Sequence, residues 1–441
     1  MRQYVLVGSG IAALSAAEAI RDADPRARIT LASSEPHAFY SRPGLAYFLT
    51  GEIPERRLEI RRRAEILDLR IERLHGTAVR VDTTGHRLVL KDGRSLGYDR
   101  LLLAPGAASV PADFEGAGLE GVVRLDGLDD ARRIRHLARD GRRAVVIGGG
   151  ITALELVEAF IAGGARTHYL MRSDRYWPRV LDSPEARLVE ARLEAEDVRL
   201  HHRTKVARAF GRKGRIRGVE TTAGDRIECD VLAVAVGVRP RTDLARVSGL
   251  EVERGIVADE YLRTSAPDVF AAGDAAEVHD STDGSALLDT LWASAAAQGR
   301  AVGATMAGSP TAYLREPALN VTRLAGIVTT IVGAVEGGGE DDPDLVTISR
   351  GQSERWRTTA GGWAIRGDRG EDRVRLILGA DRIAGAMVMG DQTLSRPLTR
   401  MVRERVDATP LCRALREHPD ALIPLVEAFA RTLEIPHARA G

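Results

Sequence analysis

The 441-residue sequence contains only two cysteines, Cys229 and Cys412, and they lie far apart in the chain. They form neither a CxxC nor a CxxxxC motif, and two cysteines are too few for a four-cysteine iron–sulfur cluster. The sequence therefore predicts no redox disulfide, no metal site and no cluster. Such low cysteine content is also typical of proteins in a reducing cytoplasm.

Long hydrophobic runs and an excess of charge of either sign are also missing. The longest apolar stretches, such as residues 231–238, are far shorter than the roughly 18 residues that a membrane span requires. Gly8 and Gly10 interrupt the apolar N-terminus, so it does not predict a signal peptide. The 63 lysines and arginines nearly balance the 62 aspartates and glutamates, which gives no global attraction to nucleic acid or membrane. We expect a cytoplasmic protein with neither as a partner.

The first thirty residues show a strand, a glycine-rich turn, a helix and a second strand. Residues 3–8 (QYVLVG) predict a buried strand, an alanine-rich helix follows, and residues 28–32 predict the second strand. Between the first strand and the helix, Gly8, Gly10 and Ala13 occupy the positions of a GxGxxG/A motif. The first glycine allows a tight turn, the second lets backbone approach a pyrophosphate, and the small third residue lets the helix pack on the strand. This context favours a dinucleotide site over a structural glycine turn.

The same pattern occurs again near the middle of the chain. Residues 144–147 predict a strand, and residues 167–171 predict the strand after the next helix. Between them, Gly148, Gly150 and Ala153 repeat the motif. Two complete units in one chain are hard to explain by chance, so we predict two dinucleotide sites.

The order of these motifs resembles the FAD-dependent pyridine nucleotide oxidoreductases of the glutathione reductase fold. It is most similar to the branch without redox cysteines: rubredoxin and ferredoxin reductases, apoptosis-inducing factor, and the flavin part of NAD(P)H nitrite reductase. The resemblance is close over about residues 1–310 and looser beyond them. It implies an α/β fold with two Rossmann-like domains, the first for FAD and the second for NAD(P)H, and an α+β C-terminal interface domain.

The resemblance also implies where the domains begin and end. The FAD-binding domain is split into residues 1–112 and 240–315, the NAD(P)H-binding domain spans 113–239, and the interface domain spans 316–441. Within the interface domain we predict an acidic loop at 336–344, strands at 374–378 and 383–388, and helices from Leu394 and at 421–433.

Two segments resemble family motifs that contact FAD. Residues 268–275 (DVFAAGDA) resemble the second FAD motif, in which Gly273 precedes Asp274, a candidate partner of the ribityl chain. Residues 291–306 resemble the helix whose N-terminus faces the flavin pyrimidine, and Trp292 is a candidate neighbour of the flavin. A helix N-terminus in this position would stabilise negative charge on the reduced flavin.

A third segment, residues 101–107 (LLLAPGA), resembles the strand and turn with which the family returns from its FAD domain. Here a proline replaces the usual threonine of that turn. The resemblance makes Ala104 and Gly106 candidate FAD-binding residues, and it adds Val79 to the same set.

Residues 40–43 (YSRP) resemble the stretch that runs beside the isoalloxazine, which makes Arg42 and Pro43 candidate FAD-binding residues. In relatives, a lysine a few residues further on pairs with a glutamate of the second motif helix, close to flavin N5. Here Tyr47 occupies the lysine position, while Glu155 keeps the glutamate. We predict Arg42 and Glu155 as the catalytic pair at the flavin edge, against an Arg42 that only neutralises phosphate or lies at the surface.

Two positions concern the riboses of the dinucleotides. Glu35, which follows the second strand of the first unit, is the candidate for the adenosine ribose of FAD. In the second unit, Met171 occupies the corresponding position and Arg172 and Arg175 follow. Because arginine binds the 2′-phosphate and a carboxylate binds the ribose diol, this segment favours NADPH over NADH. The alternative is a solvated, charged turn.

Three functions fit the resemblance. The first is a reductase that takes hydride from NAD(P)H and passes electrons to a separate acceptor, such as a ferredoxin, a rubredoxin or a Rieske-type protein. The second is a flavoenzyme that reacts directly with a small molecule or oxygen. The third is a redox-responsive binding protein without turnover. The resemblance leaves both a monomer and a homodimer open.

Overall fold

The computed structural model describes residues 1–59, 61, 63–279, 286–337, 358–359, 363–369, 372–379 and 381–433. The chain divides into two compact units. Unit 1 contains residues 1–169 and 205–315, and unit 2 contains the described residues of 170–204 and 316–433. The three domains expected above remain a prediction.

Short strands and helices alternate along the chain. The strands up to residue 123 are β1 (Gln3–Val7), β2 (Arg28–Ser33), β3 (Ile71–His75), β4 (Ala78–Asp82), β5 (Arg87–Leu90), β6 (Ser95–Gly97), β7 (Arg100–Leu103), β8 (Ala107–Ser109) and β9 (Val122–Val123). Those of residues 143–240 are β10 (Arg143–Ile147), β11 (Arg166–Leu170), β12 (Arg199–His201), β13 (Val206–Arg212), β14 (Arg215–Thr221), β15 (Arg226–Glu228), β16 (Val231–Val234) and β17 (Val238–Pro240).

The later strands and the helices complete the described elements. The strands are β18 (Ile256–Ala258), β19 (Val269–Ala271), β20 (Ala276–His279), β21 (Ala286–Leu288), β22 (Leu319–Leu324), β23 (Ile327–Gly333), β24 (Glu336–Gly337), β25 (Thr358–Thr359), β26 (Trp363–Arg369), β27 (Asp372–Leu378) and β28 (Ile383–Met389). The helices are α1 (Ile11–Ala23), α2 (Leu45–Leu49), α3 (Arg63–Asp68), α4 (Leu128–Leu137), α5 (Ile151–Ala162), α6 (Ser183–Ala195), α7 (Asp243–Val247), α8 (Trp292–Ala307), α9 (Ser395–Arg403), α10 (Thr409–Glu417) and α11 (Leu422–Leu433). None of these helices is both long enough and apolar enough to span a bilayer.

A five-stranded parallel sheet, in the order β19-β7-β1-β2-β3, forms the centre of unit 1. The first βαβ motif predicted from the sequence is confirmed, since β1 and β2 are parallel and α1 connects them. The central strand β1 is buried on both faces, which explains why residues 4–7 are continuously apolar rather than alternating. The carboxyl ends of the five strands meet at one edge, where ligands bind in open α/β sheets.

The helices α1 and α8 pack closely because small residues line both of them. Cβ atoms added at Gly299 and Gly303 of α8 would lie 2.4 and 2.6 Å from the carbonyl oxygens of Ala12 and Ala16 in α1. Glycine is therefore required at both positions of α8, despite its low helix propensity. This contact fixes α8, and hence its N-terminal residue Trp292, against the first motif helix.

A second parallel sheet in unit 1 contains β10 next to β16, and β16 next to β9. The strand and the helix predicted for the second βαβ motif are confirmed as β10 and α5. The buried residues of β10 pair in register with those of β16, for example Val145 with Leu232. Here too the strands are parallel, so the turn at Gly148 lies at their carboxyl edge.

Unit 2 contains an antiparallel sheet in the order β22-β23-β28-β27-β26, with α9, α10 and α11 in the same apolar core. This confirms the α+β character expected for the C-terminal region. The helix α10 was not predicted from the sequence. Of the acidic loop expected at residues 336–344, the part after Gly337 lies outside the described residues. A buried ion pair, Arg375 Nε to Glu185 Oε1 at 3.0 Å, joins β27 to α6 within this unit.

We expect Gly299→Ala to destabilise the protein, because the added methyl group would overlap the Ala12 carbonyl. Overpacking costs about 1–3 kcal/mol, and the higher helix propensity of alanine offsets about 1 kcal/mol of that. The measurement is the free energy of unfolding from urea titrations of the purified protein. Arg300→Ala, on the exposed side of the same helix, is the control and should change it by less than about 0.5 kcal/mol. Equal stabilities for the two variants would contradict the close contact.

Candidate functional site

The residues predicted to bind FAD come from segments that follow four parallel strands of unit 1. The amide of Gly8, after β1, donates to the Ala32 carbonyl at 2.9 Å. The amide of Ala104, after β7, donates to the Val7 carbonyl at 2.9 Å. The structure thus places these predicted residues at the carboxyl edge of one sheet: Gly8, Gly10, Glu35, Ala104, Gly106, Gly273 and Asp274.

The two motif glycines have different surroundings. Gly8 has φ +110°, and a Cβ there would lie 2.1 Å from the carbonyl oxygen of Ala104. Gly10 has an ordinary φ of −88°, and a Cβ there would meet nothing within 4 Å. The sheet therefore requires the first glycine, while the second faces open space at the N-terminus of α1. Ala13 is fully buried against the core.

A chain of hydroxyl groups connects the glycine turn to Glu35. Ser33 Oγ donates to Ser9 Oγ at 3.1 Å, and the Glu35 amide donates to Ser33 Oγ at 3.1 Å. This chain fixes the backbone of Glu35 beside the turn. It was not predicted, because serines at positions 9 and 33 show no recognisable spacing until the parallel strands bring them together.

Arg42 forms an ion pair with Glu35, with Nη2 2.6 Å from Oε1, and it also donates from Nη1 to the Asp126 carbonyl at 2.5 Å. The Tyr40 hydroxyl donates to the other Glu35 oxygen at 3.0 Å and accepts the Leu128 amide at 3.2 Å. The segment 40–43 is therefore held against Glu35 and against the start of α4. The roles of Tyr40 and Asp126 were missed, because both contacts join residues far apart in the chain.

Burial and the neighbouring charges of this network shift the pKa values of Arg42 and Tyr40. Burial by itself would lower the pKa of Arg42, but neighbouring Tyr40 and Glu35 outweigh burial and raise the pKa above its usual value. Asp274 acts in the same direction, so its carboxylate is electrostatically coupled to Arg42. Burial raises the pKa of Tyr40 to about 12. Arg42 is thus a permanent cation and Tyr40 a neutral donor at neutral pH.

The remaining predicted residues of this region have distinct positions. Glu155 is half-buried on α5, and α5 packs against α2, the helix that directly follows the segment 40–43. The pairing of Arg42 with Glu155 remains a prediction. Pro43 is exposed. Val79, on the antiparallel sheet β4-β5-β6, is 40% exposed, and its role also remains a prediction.

The N-terminus of α8 is built around a buried carboxylate. Asp289 is 3% exposed; its Oδ1 accepts the Leu291 amide at 3.1 Å and its Oδ2 accepts the Ser294 hydroxyl at 2.5 Å. Trp292 starts the helix and is partly buried against the unit 1 core. One turn further on, Gln298 Oε1 accepts the Gly273 amide at 2.7 Å. The helix thereby orients the turn that carries Asp274.

This edge fits FAD. Gly10 offers free space and the unpaired amides of a helix start, which suits a pyrophosphate. Glu35, after β2, offers a carboxylate and Arg42 offers a cation. Asp274, after the edge strand β19 of the same sheet, offers a second carboxylate. These residues would hold a dinucleotide whose two phosphates lie near α1 and whose ribose hydroxyls meet carboxylates.

The second glycine turn repeats the geometry of the first. Gly148 has φ +150°, and a Cβ there would lie 2.3 Å from the Ala235 carbonyl oxygen. Ala153 is fully buried, and Gly150 caps α5 without any side-chain acceptor. Gly150 also lines a cleft whose other walls include Leu125, Val234, Ala235 and Val238.

The segment predicted to select the coenzyme lies in unit 2. Met171 is buried and Arg172 is exposed. Arg175 donates from Nη1 to Asp174 at 3.3 Å and from Nη2 to the Pro178 carbonyl at 3.3 Å. Its buried Nε has no acceptor among the described residues. Trp177, close by in the same segment, is 3% exposed and packs inside the protein.

The comparisons with known proteins agree with this geometry. The sequence profile of the pyridine nucleotide-disulphide oxidoreductases matches residues 2–299. The chain belongs to this family. It is 32% identical over 310 residues to a rubredoxin-NAD(+) reductase of Pseudomonas putida, covering 70% of this chain and 80% of the relative.

Further relatives extend the match. A biphenyl dioxygenase system ferredoxin-NAD(+) reductase component of Paraburkholderia xenovorans is 31% identical over 337 residues, which cover 76% of this chain and 82% of the relative. A crystal structure of the covalent putidaredoxin reductase-putidaredoxin complex superposes with a TM-score of 0.83 at 23% identity, covering 98% of this chain and 99% of that chain. The protein is therefore an FAD-dependent pyridine nucleotide oxidoreductase with two Rossmann-like domains.

The disulphide in the family name has no counterpart here. Cys229 and Cys412 are both buried and unpaired. Burial raises the pKa of Cys229 to about 12 and also raises the pKa of Cys412. Because the thiolate is the nucleophile in disulfide exchange, burial and the raised pKa make both thiols poor nucleophiles. Within the part of the chain that the structure describes, no group of three or more metal-ligating side chains is present.

We expect the double variant Cys229→Ala, Cys412→Ala to keep the rate of flavin reduction and of dye-linked turnover within about twofold of the wild type. Neither thiol is accessible or ionised, so removing both takes away no reactive group. The measurement is the reduction of a dye acceptor by NADPH and by NADH. A loss of more than about tenfold, roughly 1.4 kcal/mol of barrier, with an intact fold by circular dichroism would reveal thiol chemistry.

Proposed function

We propose that the protein takes hydride from NAD(P)H onto FAD and delivers electrons to a separate small redox protein of the ferredoxin or rubredoxin class. The observation that carries this proposal is the family branch: the relatives that match most of their length are named as reductases of rubredoxin, of ferredoxin and of rhodocoxin. FAD, when bound, accepts the hydride and passes the electrons on. The two buried thiols exclude an internal disulfide as the next carrier.

The chain's own residues bind and orient the two dinucleotides. The N-termini of α1 and α5 offer amides to the phosphates, and Glu35 and Asp274 offer carboxylates to ribose and ribityl hydroxyls. Arg42 supplies a cation whose position Glu35, Tyr40 and Asp126 determine. In our proposal, Glu155 lies at the flavin edge. Arg42, which pairs with Glu35, would neutralise a phosphate of FAD, the alternative role that the sequence left open for it.

The proposed partner is tested by anaerobic reduction followed by electron transfer. NADPH or NADH should bleach the flavin of the purified protein, and an added ferredoxin or rubredoxin should then accelerate coupled reduction of cytochrome c. Full turnover with oxygen or a small molecule and no added protein would instead support direct reaction of the reduced flavin. Absence of any bleaching would support a binding protein without turnover.

The FAD site is tested with Asp274→Ala, which should yield protein that loses FAD on dilution. A charge-assisted hydrogen bond to the cofactor contributes about 1.5–3 kcal/mol, so the dissociation constant should rise about ten- to a hundredfold. The ratio of flavin to protein absorbance after gel filtration measures the loss. The control is Asp268→Ala. Asp268 directly precedes β19, at the end opposite to Asp274, and pairs with Arg100, so this variant should keep FAD bound. Full occupancy in Asp274→Ala would remove Asp274 from the site.

For the coenzyme, we propose NADPH, with Arg172 meeting the 2′-phosphate. The support comes from the chain itself, because the exposed Arg172 and the half-buried Arg175 follow β11, where NADH sites carry a carboxylate. NADH is the second candidate, because the relatives are named NAD(+) reductases. Met171 is buried and neutral, so it favours neither coenzyme by charge.

We expect Arg172→Ala to lower kcat/KM for NADPH about ten- to a hundredfold, the loss of charge-assisted hydrogen bonds of about 1.5–3 kcal/mol. The value for NADH should barely change. Adding Met171→Glu should supply a carboxylate for the ribose diol and reverse the preference. Dye-linked assays with both coenzymes measure the effect, and Arg413→Ala, an exposed arginine on α10, is the charge-matched control. A wild type that already prefers NADH, or an equal loss for both coenzymes, would show that Arg172 is a solvated turn residue.

A further inference from the structure

Two buried hydroxyl groups face the cleft beside the second glycine turn, and neither has a hydrogen-bond partner among the described residues. They are Ser109 Oγ and Thr152 Oγ1. A buried polar atom without a partner is unfavourable, because it has lost its hydrogen bonds to water and gained none. Two such atoms in one cleft therefore indicate a ligand that supplies the missing partners.

The backbone around Ser109 holds its hydroxyl in place. Ser109 ends β8 and pairs directly with Val238 of β17, another residue of the cleft. Its amide donates to Asp126 Oδ1 at 2.5 Å, and its carbonyl accepts from Arg124 Nη1 at 3.4 Å. Ser109 is only 7% exposed. A hydrogen-bond partner from outside the described residues can therefore reach its hydroxyl only through the cleft.

Thr152 lines the same cleft. It is the second residue of the twelve-residue helix α5, which is capped by Gly150. The first turn of this helix has no acidic residue and no side-chain cap. The threonine hydroxyl and the free amides of the helix start therefore point to a ligand group that accepts hydrogen bonds.

The walls of the cleft show which part of a dinucleotide fits. Leu125, Val234, Ala235 and Val238 are apolar, and the other lining residues are two glycines and the two hydroxyl residues, all uncharged. The phosphates are assigned to the amides at the start of α5, so the uncharged cleft beside them is left for an uncharged part of the coenzyme. An uncharged planar ring with an amide substituent fits this cleft, because the apolar walls cover its faces and the hydroxyls both donate to and accept from the amide.

We infer that Ser109 and Thr152 bind the carboxamide of the dihydronicotinamide ring and so position the hydride donor. This inference rests on the proposed function, because it requires NAD(P)H as the reductant. It adds two binding residues that the glycine motif does not include. Both act on the coenzyme half that carries the reaction, and neither contacts the adenosine half.

The test uses the FAD-loaded protein and the variants Ser109→Ala, Thr152→Val and the double variant. Anaerobic stopped-flow bleaching of the flavin gives the dissociation constant of the reduced coenzyme, with whichever of NADPH and NADH bleaches the wild type faster. Each single variant should raise this constant about two- to tenfold, as expected for one neutral hydrogen bond. The dissociation constant of ADP-ribose, which lacks the nicotinamide ring, should not change in any variant.

Thr221→Val is the matched control. Thr221 is a buried threonine of β14, and its hydroxyl accepts the Asp225 amide, away from the cleft. This variant should bind the reduced coenzyme as the wild type does. The melting temperature without coenzyme should not fall in Ser109→Ala or Thr152→Val, because an unsatisfied hydroxyl stabilises nothing before the ligand binds.

Three results would overturn the inference while leaving the proposed function intact. They are unchanged coenzyme affinity in the double variant, equal weakening of ADP-ribose and of the reduced coenzyme, and a melting temperature that falls without coenzyme. The last would show that the hydroxyls have a structural role. If neither coenzyme bleaches the wild-type flavin, the proposed function fails, and the inference fails with it.

Discussion

In both βαβ motifs, the first glycine lies against the carbonyl oxygen of a residue that directly follows a neighbouring strand. That oxygen occupies the space that the Cβ of any other residue would need. The Ala104 oxygen is 2.1 Å from a Cβ built at Gly8, and the Ala235 oxygen is 2.3 Å from one built at Gly148. Both glycines also have positive φ. Only glycine meets both conditions, and the resulting turns direct the starts of α1 and α5 to the carboxyl edges of their sheets. The candidate residues Gly8, Gly10, Glu35, Ala104, Gly106, Gly273 and Asp274 all lie at the first of these edges.

Around the first turn, charged side chains are held by one another. Arg42 contacts Glu35 and the Asp126 carbonyl, and Tyr40 connects Glu35 to the start of α4. Partly buried charges are costly unless they are paired and hydrogen-bonded. The network meets that requirement with residues from three separate segments, so the position of Arg42 depends on Glu35 as much as on its own segment, 40–43. A change at either residue therefore affects both.

The two turns differ in what lies beside them. The first has two charged residues at the same sheet edge, Glu35 after β2 and Asp274 after β19, and fits a dinucleotide held by its ribose and ribityl hydroxyls. The second has an uncharged cleft with two unpaired hydroxyls, at Ser109 and Thr152. One motif thus supports two kinds of site, because the residues that surround a phosphate-binding turn come from other strands and loops.

The sequence by itself determined the two βαβ motifs and the class of cofactor, since glycine spacing and strand periodicity are local properties. It also placed Glu35 and Asp274 just after predicted strands, where the structure has them; their roles at the cofactor and the inertness of the two thiols stay predictions. It did not predict α10, the Ser9–Ser33 link, the contacts of Tyr40 and Asp126, or the cleft at Ser109. Apart from the local helix α10, those features join residues from distant segments, and only the pairing of strands and the packing of loops brings these residues together. Tertiary structure therefore decided which polar groups find partners and which are left for a ligand.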